Sequence, residues 1–219
     1  MRTIPLFPLS TVLFPGMPLE LHIFEPRYKL MIRHCLDEQI PFGVVLIRSG
    51  QEANGPLAEV FPVGCTAEIA HVEPLSDGRM NLLVIGTERF KVLELNDEQP
   101  YLAGRVETLP LEPPQTLAVL RGARQLPAML RYYLHGLAEH EVVDLDAAQI
   151  DFPHDPLAQM YLAAALLQIP SIEKQALLAA AGAPELLTAL LRLYRRENAL
   201  LNRIKPPASE AAAQRAWLN

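Results

Sequence analysis

Within residues 4–36, IPLFPLSTVLFPGMPLELHIFEPRYKLMIRHCL, the hydrophobic period switches from two to about 3.6 in only five residues. Leu19, Leu21 and Ile23 alternate as a half-buried strand does, and the following stretch places Tyr28, Met31, Ile32 and Cys35 on one helical face. Pro15-Gly16 followed by Pro18 demands a tight turn between two extended segments, because proline fixes φ and glycine tolerates φ > 0. Pro26 fits the first helical position, where its missing N–H has no intrahelical partner to lose. The expected order is therefore strand, turn, strand, helix.

The chain divides near residue 113. Before it, FGVVLI, VGCTAEIAHV, MNLLVIGTERFKVLEL and YLAGRVETLPL read as strands, with Asp77-Gly78 as a hairpin turn and Gly86 as a bulge or bend. After the Glu112-Pro113-Pro114 linker the pattern turns helical. Gly122 and Pro127 should divide the stretch 115–140, Asp155 should cap a helix opened by Pro156, and Ser171 should cap the next. Gly182 reads as the residue that ends that helix, and Pro184 opens the last one. Pro206-Pro207 stops it before an alanine-rich tail that holds Trp217. The expected units are a strand-rich 1–112, a helical 113–205 and a tail 206–219.

Composition excludes several classes. Half of the residues are hydrophobic, enough for a substantial core, and the formal charge is −6. All of that charge falls in residues 1–112, with nine basic and fifteen acidic side chains; the remainder holds ten of each. A nucleic-acid partner is disfavoured, since a phosphate backbone calls for a basic face. Cys35 and Cys65 are too few for a disulfide framework or a four-cysteine zinc site and read as small buried hydrophobes of a cytoplasmic protein. The uncharged run 3–19 is broken by four prolines, and the charge-poor run 157–172 is short, so neither is expected to span a membrane.

The run PLFPLSTVLFPGMPLELHIFEPRY resembles the opening of the substrate-binding N-terminal domain of ATP-dependent Lon proteases. VIGTERFKV (84–92) resembles that family's glycine–arginine–aromatic strand, and residues 171–201 resemble its helical half. The resemblance spans roughly 3–205. It implies an α+β fold, with a PUA-like small β-barrel carrying an early helix, followed by an α-helical bundle. It also implies a bacterial, proteolysis-related module that binds unfolded polypeptide or a partner protein without catalysis, standing alone from ATPase and peptidase domains. RNA binding, a use of the same barrel type, and a small enzyme with an unrecognised pocket are the alternatives.

Motif absence agrees with that implication. The sequence has no Gly-Lys dipeptide and hence no phosphate-cradling loop, and no GxSxG, HExxH or GxGxxG. His34-Cys35 are helix neighbours about 100° apart and cannot share a proton well. His135, Glu139 and His140 converge too poorly for a metal, and Asp144, Asp146, Asp151 and Asp155 lack the glycine and terminal glutamate of a calcium loop. No catalytic residue, metal or cofactor is expected. Phe14, Met17 and Phe24 are the candidate apolar peptide-binding surface, with core packing as the alternative for each. Glu25 and Arg89 are expected to serve structure, as an ion pair or through a hydrogen-bonded arginine that ties the helix start to the barrel, with pocket-lining as the functional alternative.

Overall fold

Among the described residues, continuous apolar runs in β1 and β3 and alternating apolar and polar residues elsewhere, punctuated by turns, give six strands: β1 (Arg2–Leu9), β2 (Pro18–Ile23), β3 (Phe42–Ser49), β4 (Glu59–Pro74), β5 (Met80–Asn96) and β6 (Ala103–Thr108). The structure is a computed structural model that describes residues 1–50, 59–112, 116–139 and 152–204. The linker prolines Pro113 and Pro114, His140, Asp144, Asp146, Asp151 and the tail with Pro206, Pro207 and Trp217 lie outside the described residues.

The strands form one mixed sheet in the order β2-β5-β4-β3-β1-β6, and an additional β5–β6 pairing closes it. Among the described residues only β1 and β3 run parallel; the other pairings are antiparallel. The long β5 carries β2 along Met80–Ile85 and β6 along Phe90–Asn96. Among the described residues no strand pairs with the outer edge of β2.

Helix α1 (Pro26–Asp37) starts at its proline and buries Tyr28, Met31, Ile32 and Cys35, the four positions the 3.6 period selects. These pack with Ile23, Leu82 and Val84 on the inward face of β2 and β5. A second cluster of Ile4, Leu6, Val45, Phe90, Leu102 and Val106 lies between the closing strands. Gly43 and Gly64 leave the space that the Phe90 ring fills, since a Cβ at either would collide with it.

Helices α2 (Leu117–Ala123), α3 (Leu126–Glu139), α4 (Pro156–Leu166), α5 (Ser171–Leu178) and α6 (Ala183–Ile204) follow. The break between α2 and α3 falls between Gly122 and Pro127. Asp155 caps α4 through Ala158 N–H at 2.7 Å, and Pro156 is the first helical residue. Two capping expectations are corrected. Ser171 opens α5 but does not cap it: the cap position is Pro170, and the Ser171 hydroxyl donates instead to the Ser10 carbonyl at 2.7 Å. Gly182 does not close α5 in a left-handed conformation; its carbonyl accepts from Leu186 N–H and so belongs to the first turn of α6. There the Glu185 carboxylate accepts from Ala181 N–H at 2.8 Å, anchoring the helix start.

The helical core is not separate from the strands. Phe14 and Val63 sit in the same buried cluster as Leu130, Tyr133, Leu186 and Tyr194.

Candidate functional site

The hairpin joining β4 to β5 turns at Asp77-Gly78, where Gly78 takes φ +76. Its register aligns side chains across three strands. Directly opposed residues of antiparallel strands share a face, so Glu20, Leu83 and His71 form one row and His22, Asn81 and Glu73 the next. A register shift between Ile69 and His71 matters here. The extra residue in β4 turns His71 and Glu73 outward while Ile69 and Val72 stay against the core.

These rows line an open trough of about 600 Å³, walled by Glu20, Leu21, His22, His71, Glu73, Asn81, Leu82 and Leu83. Asn81 bridges its neighbours: its Oδ1 lies 2.8 Å from His22 Nδ1, and its Nδ2 donates to Glu73 at 2.9 Å. His22 and Glu73 are thus each engaged by an amide, and among the described residues no serine, threonine or cysteine stands on the trough wall. Among the described residues no three histidine, cysteine, aspartate or glutamate side chains converge to hold a metal. The trough wall offers hydrogen bonds, carboxylates and imidazoles, and apolar contact.

The expected apolar surface separates into three fates. Phe14 is 1% exposed and packs into the helical cluster near the Tyr161 ring, with centroids 6.4 Å apart, so it is core and not surface. Its placement follows from Gly86: a Cβ there would overlap the Phe14 carbonyl, and Gly86 exchanges backbone hydrogen bonds with Gly16 and Met17. The loop is therefore pressed onto β5 and its aromatic turned towards the helices. Met17 is half-buried against two clusters. Phe24, in contrast, is 46% exposed and stacks on His22 at the end of the trough.

Glu25 and Arg89 take different partners, which corrects the expected pair. Glu25 accepts from Arg27 Nε at 3.0 Å beside α1. Arg89, 2% exposed, points to the helical side and donates to the carbonyls of Leu109 at 3.2 Å and of Leu178 and Ala180 across the interface with α5. Burial lowers its pKa from the ordinary arginine value. Arg89 does join strands to helices, by neutral acceptors instead of a carboxylate. Gln175 reinforces the seam by donating to Val63 O at 2.9 Å. Both thiols are buried, and desolvation pushes each up to about 12, which keeps Cys35 and Cys65 in the protonated form at neutral pH.

Sequence reasoning missed Glu20, His22, His71, Glu73 and Asn81. The alternation that buries Leu19, Leu21 and Ile23 also turns Glu20, His22 and Phe24 outward, which was the available signal.

Residues 3–196 match the family model of the ATP-dependent protease La (LON) substrate-binding domain. The chain belongs to the Lon substrate-binding domain family. Over 107 residues it is 33% identical to a Lon protease of Anaeromyxobacter dehalogenans, covering 48% of this chain but 13% of that protein. A Lon protease of Parabacteroides distasonis is 32% identical over 108 residues, again 13% of its length. The chain therefore spans a small part of the curated Lon relatives it matches. Among solved structures, a Lon N-terminal domain protein from Xanthomonas campestris aligns with TM-score 0.63 at 24% identity, covering 88% of this chain and 98% of that one. The N-terminal domain of a Mycobacterium avium complex Lon protease aligns with TM-score 0.66 at 18% identity, over 89% and 98% respectively. Both likenesses show the Lon N-terminal fold. Among the described residues no helix is long and apolar enough to cross a membrane.

Proposed function

We propose that this chain is a non-catalytic module that binds unfolded or partly exposed polypeptide in the cytoplasm. The observation that carries the reading is the match of residues 3–196 to a substrate-binding domain family. We read the closed five-strand ring as a PUA-like barrel and α2 to α6 as a bundle braced against it, with 1–112 and 113–205 as the two halves of one binding unit. The place for a client is the outer edge of β2 with the adjoining trough. An extended segment paired along that edge would set every second side chain beside Glu20, His22 and Phe24. Backbone pairing supplies affinity that does not depend on client sequence, as a binder of unfolded chains requires.

The test is a titration of a labelled, reduced and unfolded protein, and separately of a labelled RNA, against the chain. Polypeptide binding in the micromolar range without ATP turnover or cleavage is expected. Tight RNA binding that collapses with salt, with no polypeptide binding, would favour the nucleic-acid alternative.

A further inference from the structure

The trough face is specific in composition as well as shape. Leu83 and Ile85, on the outward face of β5, are half-buried yet belong to none of the three core clusters. They form an apolar strip flanked on both sides by carboxylates. Glu20 on β2 faces Leu83, Glu68 on β4 faces Ile85, and Glu73 on β4 faces Asn81. Among the described residues no lysine or arginine lies within salt-bridge distance of these three glutamates. Arg79, at the hairpin end, is paired with Asp77 and reaches His22 Nε2 at 3.4 Å.

We propose that this face selects extended segments in which apolar residues alternate with lysine or arginine. The inference deepens the polypeptide-binding reading and rests on it. A strand added beside β2 presents alternate side chains to the trough, with about 7 Å between residues two apart. Cationic side chains on that face meet Glu20 and run their aliphatic stems over the strip towards Glu73, while the apolar residues between them turn to the opposite face. An acidic segment meets like charge on both flanks. Each exposed pair is weak, in the range of about 0.2–1 kcal/mol, so the carboxylates sort clients while apolar contact and backbone pairing hold them.

Three peptides with one apolar framework and lysine, glutamine or glutamate at alternate positions decide the matter, by fluorescence anisotropy against the whole chain at low and high ionic strength. The lysine peptide should bind about tenfold more tightly than the glutamate peptide at low salt, shrinking to about twofold when exposed charges are screened. The Glu20→Gln/Glu73→Gln variant should lose most of that preference while holding the glutamine peptide as before, and Glu107→Gln, exposed on β6, should change nothing. Equal binding of lysine and glutamate peptides, or a preference that survives the double variant, would overturn the inference and leave the polypeptide reading standing. Failure of all three peptides to bind would overturn both.

Discussion

Phe14→Ala should lower the free energy of unfolding by about 4 kcal/mol, whereas Phe24→Ala should lower it by less than about 1. Both phenylalanines lie in the same amino-terminal run, yet one is enclosed among the helices beside Tyr161 and the other stands 46% exposed on the trough rim. Truncating Phe14 removes a full aromatic and leaves a cavity between strands and helices that backbone held by Gly86 cannot collapse to fill. Truncating Phe24 removes a contact with His22 and with any client. Denaturant unfolding followed by circular dichroism measures the first effect; a severalfold weaker affinity for unfolded polypeptide, at unchanged stability, is the expected signature of the second. Similar stability losses for the two variants would contradict the placement of Phe14.

Arg89→Ala should cost about 3 kcal/mol, because two buried carbonyls and one part-buried carbonyl lose their donor and an orphaned acceptor costs on the order of 1–3 kcal/mol, partly offset by relief of guanidinium desolvation. Its effect should also be independent of Glu25. In a double-mutant cycle, Glu25→Gln and Arg89→Ala should add to within about 0.5 kcal/mol, as sites without shared partners do. A coupling well above that would restore the ion pair that the sequence suggested. Arg89→Lys should recover only part of the loss, since one ammonium lacks the planar fork that spans carbonyls of β6's trailing segment and of the α5–α6 connection.

Local features were legible because their causes are local. The four buried positions of α1, the Asp155 cap and the Asp77-Gly78 turn follow from periodicity and from residues adjacent in sequence. The glycine–arginine–aromatic strand was recognisable as a motif, but its physics was not: Gly86 admits the Phe14 carbonyl, Arg89 reaches carbonyls about ninety residues away, and Phe90 fills the space left by Gly43 and Gly64. Backbone acceptors carry no residue signature, so no reading of side chains could have found Arg89's partners. The trough was hidden for a related reason. Its rows combine β2 with strands some sixty residues later, and the bulge between Ile69 and His71 changes which β4 residues face outward. Ser171 shows the converse error, a good capping residue whose hydroxyl was claimed by a carbonyl in the β1–β2 loop.

Hydrogen exchange of the backbone amides, with and without a saturating unfolded polypeptide, tests the central claim most directly, because amides that gain a bound strand or lose solvent exchange more slowly. The account predicts slowed exchange concentrated in residues 19–23 of β2 and in the adjoining trough residues 71–73 and 81–83, with α2 to α6 unchanged. Protection confined to the helices, or no change at saturation, would contradict it.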